Sequence, residues 1–274
     1  MPFIAISYGY TATRENIATK VAEILGYEAI GRQILLAAAE KFHIPESTLA
    51  QAIHDAPSFF GMPVNKRKCC IAYILAAAAT HLRRDKIVYH GPASHVIGQG
   101  ISHVLKVRII PDKEARVTFE MNRHNVSREE ALERVASSEK QRRRLTKEAF
   151  GLDDSSPDLY DLVIDLNKTS TDDAIQLIVT RVQDRKYQPM TYSLRCAGNI
   201  ELACLVKAHL VDIDPDINVR CEEGDVSIHT KAPARVKEKR IALIQERISQ
   251  LPGVKNVDIS IADDLFDRIA GTMR

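Results

Sequence analysis

The sequence lacks several features that would each have decided its class at once. It has no marked excess of one charge: 38 Lys and Arg stand against 36 Asp and Glu, a formal net charge of +2. That balance offers no electrostatic reason to expect nucleic acid or an anionic membrane surface as a partner. No C-x-x-C pair occurs among Cys69, Cys70, Cys196, Cys204 and Cys221. Their odd number and their spacing speak against a disulfide framework and against a metal held by cysteines. The longest apolar run, 69–79, is too short for a bilayer and is interrupted by Tyr73. No basic stretch leads into an apolar segment near Met1, so the expectation is a cytoplasmic protein without a transmembrane segment. There is no repeat, no low-complexity segment, no Ser/His/Asp constellation and no paired-carboxylate site.

What is present is an ordinary globular composition, 45% hydrophobic and 27% charged over 274 residues. That length suits one large domain and a small one. The first two-thirds alternate strand-like and helix-like segments. Strands are expected at 3–7, 27–30, 86–90, 104–110 and 161–166, short and mostly apolar on both faces, as buried parallel strands are. Helices are expected at 14–25, 32–42, 45–54, 66–84, 113–123, 127–147 and 171–183. Two starts carry caps, Ser127-Arg128-Glu129-Glu130 and Ser170-Thr171-Asp172-Asp173. The polar stretch around Pro189 reads as a linker. After it the pattern changes to helix 199–211, strand 217–221, a Glu223-Gly224-Asp225 turn, strand 226–230, helix 234–250 and strand 255–261. The fold class is therefore α/β, a parallel sheet flanked by helices, followed by a small α+β module.

The opening segment has the strand–turn–helix order of a phosphate-binding loop, where helix N-terminal amides attract anions. The motif G-x-x-x-x-G-K-[ST] is altered: after Gly9 come Tyr10, Thr11, Ala12, Thr13, Arg14 and Glu15, with no second glycine and no Lys-Thr pair. Glycines let backbone amides approach phosphate oxygens, and a carboxylate at this point repels them.

Residues 4–179 resemble the cytidylate kinase-like branch of the nucleoside monophosphate kinases. The resemblance is carried by the leading strand and loop, by ILGYEAIGRQILLAAAEKFHIPE, by VYHGPASHVIGQGISHVLKVRIIPDKEARV and by SSEKQRRRLTKEAFGLDDSSPDLYDLVIDL. Residues 199–261 resemble a BON domain through EEGDVSIHT and ISQLPGVKNVDI. Together these imply a kinase-like domain with a degenerate P-loop at 1–186, a linker at 187–198, a BON-like domain at 199–262 and a tail at 263–274.

The kinase resemblance implies phosphoryl transfer from ATP, with Mg²⁺, to a nucleoside monophosphate or similar acceptor. In that reading Gly9, Tyr10, Thr11, Ala12, Thr13 and Arg14 cradle the ATP phosphates. Thr11 or Thr13 serves the metal, because Glu15 occupies the usual Ser/Thr place. Arg142, Arg143 and Arg144 fall where lid arginines close over the transferring group; an isolated basic run there would equally suit a solvated helix face. Arg32, His90, Gly91 and Arg116 are the candidates for acceptor binding, although Gly31 stands where an acceptor-site acid is expected. For Arg116 and Arg123 the bland alternative is a salt bridge with Glu114 or Glu120. Lys66-Arg67-Lys68 reads as a solvated helix end, and Asp153, Asp154 and Asp158 are not expected to do more than reach Mg²⁺ through water. No residue set is expected to hold a metal by itself. The alternative function is a catalytically impaired nucleotide-binding or regulatory scaffold whose BON-like module binds a protein or small-ligand partner.

Overall fold

The computed structural model describes residues 2–8, 14–54, 61–91 and 93–262. Five strands form one sheet: β1 (Phe3–Tyr8), β2 (Glu28–Ile30), β3 (Ile87–Tyr89), β4 (Val104–Ile110) and β5 (Leu162–Asp165). Their order is β2-β3-β1-β4-β5, and every pairing is parallel. From β1 the chain passes to β2 and β3 on one side, then crosses to β4 and β5 on the other. The carboxyl end of β1 thus lies at a topological switch point, where open α/β sheets bind ligands.

Both faces of the sheet are covered, as the apolar strand sequences demand. Along β1, Phe3 and Ala5 enter one core with Ile34, Leu49, Ile74, Leu82 and Tyr89. Ile4 and Ile6 enter the other with Ile17, Val21, Leu105, Val107, Ile175 and Ile178. The helices that line these two cores are α1 (Arg14–Leu25), α2 (Gln33–Phe42), α3 (Glu46–His54), α4 (Val64–Ala79), the short α5 (Ser94–Ile97) and α8 (Thr171–Arg181). Two further helices, α6 (Lys113–His124) and α7 (Arg128–Phe150), pack on each other through Val117, Ala131 and Val135. The caps read from sequence are formed. Ser127 Oγ accepts the N–H of Glu130 at 3.2 Å, and Ser170 Oγ accepts that of Asp173 at 3.1 Å.

Three expectations are corrected. β4 is not apolar on both faces, because Lys106 and Arg108 alternate with Leu105, Val107 and Ile109 and turn away from the apolar core those three enter. Lys66-Arg67-Lys68 is not a solvated helix end: Arg67 is buried and its Nη1 donates to the Ala52 carbonyl at 2.8 Å, while Lys68 pairs with Asp216. The stretch expected as a linker at 187–198 is mostly helix, since α9 runs from Thr191 to Leu210. Ser193 explains the early start, its Oγ accepting the Met190 N–H at 3.0 Å at the helix entrance.

The second sheet is built from β6 (Asn218–Glu222), β7 (Asp225–Lys231) and β8 (Asn256–Ala262), with α10 (Lys237–Ile248) between the last two. β6 and β7 pair antiparallel, β7 and β8 parallel. The hairpin turn is Glu223-Gly224, with φ of 52° and 99°. Two consecutive positive φ values are what a two-residue hairpin loop needs. A Cβ on Gly224 would also lie 2.7 Å from the Gly253 carbonyl oxygen. Val206, Leu210, Val226, Ile228, Ile244 and Ile248 fill the small core. α9 serves both halves of the molecule: Ala197 lies in the core of the large sheet, and Val206 and Leu210 in that of the small one. No helix among the described residues is long and apolar enough to cross a membrane.

Candidate functional site

The carboxyl ends of the parallel strands bring together Tyr8 from β1, Gly31 and Arg32 after β2, His90 and Gly91 after β3, and Asp112 after β4. Residues 9–13, expected to cradle phosphates, lie outside the described residues. Arg14 opens α1, immediately beyond them.

On the β2–β3 side, backbone geometry explains both glycines. The His90 N–H donates to the Ile30 carbonyl at 2.8 Å, extending the pairing one residue past β3. Its ring lies over Gly31, where an added Cβ would sit 2.5 Å from Cε1. The position where an acid was expected is therefore covered by an imidazole. Gly91 is pressed against the ring of Tyr89, and a Cβ there would sit 2.5 Å from Cε2. Arg32 points outward, 78% exposed, and holds Glu46 at the start of α3 through a 2.7 Å ion pair.

These contacts predict different costs for two similar substitutions. Tyr89 is fully buried and cannot yield, so Gly91→Ala should destabilise the fold by about 1–3 kcal/mol. Gly31→Ala meets only the end of a side chain that can turn, and should cost less than about 1 kcal/mol. Urea unfolding of the two variants checks the order; equal losses would contradict it.

On the β4 side a cluster of charges lies under α7. Arg142 faces inward with its side chain 27% exposed, and it ion-pairs with Asp154, which is 1% exposed. Arg108 reaches the same carboxylate from β4, with Nη1 3.8 Å from Oδ2, and is itself 9% exposed. Its guanidinium lies over the Tyr160 ring at 5.6 Å, and the Tyr160 hydroxyl donates to the Asp154 carbonyl at 3.0 Å. Glu139, one turn before Arg142, receives the buried Arg116 from α6. Burial, and then the neighbouring Arg108 charge, lower the Arg142 pKa to about 10, so it remains a cation at neutral pH. Arg108 and Arg142 share the Asp154 carboxylate, and Arg116 pairs with Glu139. Hydrogen bonds from Ser155, helped by the Arg143 and Arg108 charges, hold the exposed Asp153 carboxyl below its ordinary pKa. Among the described residues, Arg142 Nε and Asp154 Oδ1 find no hydrogen-bond partner.

The basic run read from sequence is thus divided by the helix. Arg142 turns in; Arg143 is exposed; Arg144 is exposed and pairs with Glu148 at 2.7 Å along the helix. Arg116 pairs with Glu139 on α7, and Arg123 lies over the Phe119 ring at 5.9 Å. Asp154 is a buried counter-ion and not a solvated carboxylate. Arg108 was not singled out by sequence reasoning. The available signal was its place beside Lys106 at alternate positions of an otherwise apolar strand, VLKVRII. No group of three or more His, Cys, Asp or Glu able to hold a metal occurs among the described residues.

Comparison with known proteins bears on this geometry. The model of a family described as the cytidylate kinase-like family matches residues 3–168. A cytidylate kinase of Methanopyrus kandleri (strain AV19) is 31% identical over 96 residues, covering 35% of this chain and 49% of that protein. The chain therefore spans about half the length of that curated relative. A solved structure of an uncharacterized protein from Eubacterium ventriosum ATCC 27560 aligns with a TM-score of 0.49 at 17% identity, over 67% of this chain and 99% of that one. The five-stranded parallel sheet flanked by helices fits a P-loop kinase-like fold.

Proposed function

The chain belongs to the cytidylate kinase-like family, and from that premise we propose that it transfers a phosphoryl group from ATP to a nucleoside monophosphate or a similar small acceptor. The observation that carries this reading is Arg142, an inward-facing cation of α7 with a guanidinium N–H unmatched among the described residues. Phosphoryl transfer asks the protein for little besides positioning and for positive charge where the transferring group's charge develops. Arg142 supplies that charge from a partly dry site, and Arg143 and Arg144 add an exposed basic rim. Arg32, His90 and Gly91 are assigned to the acceptor from the β2–β3 side, and Arg116, which pairs with Glu139, from the β4 side.

Arg142, with an N–H unmatched among the described residues, is the group that suits a phosphate of ATP, which would supply the group transferred. Mg²⁺ falls to Thr11 or Thr13, and Gly9, Tyr10, Ala12 and Arg14 complete the cradle; both assignments rest on the family resemblance. A second reading is favoured by two particular positions. Glu15 stands where the loop needs a hydroxyl, and His90 covers Gly31 where an acceptor-site acid was expected. In that reading the chain is a nucleotide-binding scaffold, and the BON-like module takes a protein or small-ligand partner. The outer face of its sheet exposes Arg220, His229, Asp258 and Ser260, which suits a polar partner better than lipid.

An acceptor panel tests the proposal. Purified protein with Mg²⁺, ATP and each common nucleoside monophosphate should form diphosphate, fastest with CMP and above an Arg142/Arg143/Arg144 triple-alanine control. No product with any acceptor from folded protein would favour the scaffold.

A further inference from the structure

Register places Arg108 beside the phosphate-loop entrance. Its Cα is paired with Ser7, the residue before the last of β1, and neighbours in register on parallel strands turn their side chains to the same face. Arg108 and Arg142 come from elements far apart in sequence, yet both guanidiniums converge on one carboxylate, that of Asp154. One carboxylate cannot satisfy two guanidiniums: together they offer ten N–H donors against two oxygens. Two guanidiniums thus share one buried carboxylate, and among the described residues an Arg142 Nε–H and an Asp154 Oδ1 remain unmatched in a partly dry site. A phosphate group, with more oxygens and a second negative charge, matches such a pair better than a carboxylate does.

We propose that Arg108 and Arg142 form a two-guanidinium site for the phosphate of a nucleotide, held ready by Asp154 as an internal counter-anion that the phosphate displaces. The proposal rests on the phosphotransferase reading and deepens it. Arg108 becomes a second member of the charge clamp. Asp154 becomes a positioning residue, which aims both arginines and offsets their mutual repulsion while no nucleotide is bound. It also sets a threshold, since an anion must compete with a covalently tethered carboxylate. The lowered Arg142 pKa agrees with this, because its causes are burial and the nearby Arg108 charge.

The test uses the full chain and inorganic pyrophosphate as probe. Asp154→Asn removes the counter-anion while preserving shape, so it should melt lower than the parent and regain about 5 °C as pyrophosphate saturates it. The parent should respond much less. Asp154→Asn combined with Arg108→Met, or with Arg142→Met, should lose the response. CMP and ATP in place of pyrophosphate then separate an acceptor phosphate from a donor triphosphate; a response to either that needs both arginines supports the site. Should Asp154→Asn fail to fold, the Arg108 and Arg142 Nε–H resonances of the parent give the answer, shifting together as pyrophosphate is added. Melting of Asp154→Asn that ignores anions, or parent resonances that do not move, overturns the proposal and leaves a purely structural ion cluster. Turnover measured in parallel keeps the two readings apart. A missing anion response with turnover intact removes only this site, and an anion response without turnover removes only the phosphotransferase.

Discussion

Replacing Arg142 by alanine should lower turnover with ATP and a nucleoside monophosphate by roughly 10–10³-fold. The size follows from where the guanidinium sits. It is held inward, pressed between α7 and Asp154, so its charge acts on the transferring group with little solvent screening. Arg144→Ala removes only an exposed pair with Glu148 one turn along the helix, and should leave turnover within a factor of about three. Because Asp154 loses a partner in Arg142→Ala, stability will fall as well, and the activity must be scaled to the folded fraction. Arg142→Lys separates the two effects. Lysine keeps the charge beside Asp154 but not the planar fork, so it should recover stability better than turnover. Equal kcat values for Arg142→Ala and Arg144→Ala would remove Arg142 from the charge clamp.

The second large effect concerns the loop. Changing Thr13→Gly, Arg14→Lys and Glu15→Thr together should strengthen Mg²⁺-ATP binding by roughly tenfold or more. The parent chain should bind it only in the high-micromolar range or more weakly. The largest single contribution is the carboxylate of Glu15, repulsive toward triphosphate by about 1 kcal/mol in full solvent and by more where water is partly excluded. Glycine adds backbone approach, and the Lys-Thr pair restores a point charge and a hydroxyl for the metal. Calorimetry reads the difference directly. Tight binding by the parent that is indifferent to Arg14→Ala would refute this account of the loop.

The fold was largely legible because its signals are local. Five short apolar runs gave five strands within a residue or two at most ends, and Ser127, Ser170 and Glu223-Gly224 marked helix starts and a hairpin at the positions observed. The start of α9 was missed because it depends on Ser193 folding back onto Met190, a contact that Pro189 and the polar residues before it obscure. The candidate site was less legible, for a physical reason. Arg142, Arg143 and Arg144 are identical as letters, and only the helix's rotation against β4 decides that one turns inward. Arg108 and Asp154 acquire meaning only through each other and through Arg142, across strand, loop and helix. Arg67 was misread in the same way, since the carbonyl that buries it belongs to Ala52 on another helix.

The central claim is that this family member moves a phosphoryl group between nucleotides. Phosphorus NMR of the purified chain with ATP, Mg²⁺ and CMP measures it most directly, because donor loss and acceptor gain are read in one spectrum. The account predicts ADP and CDP resonances growing in equal amounts, abolished without CMP and strongly slowed by Arg142→Ala. ATP and CMP resonances that stay constant over hours, from protein shown to be folded, would contradict it.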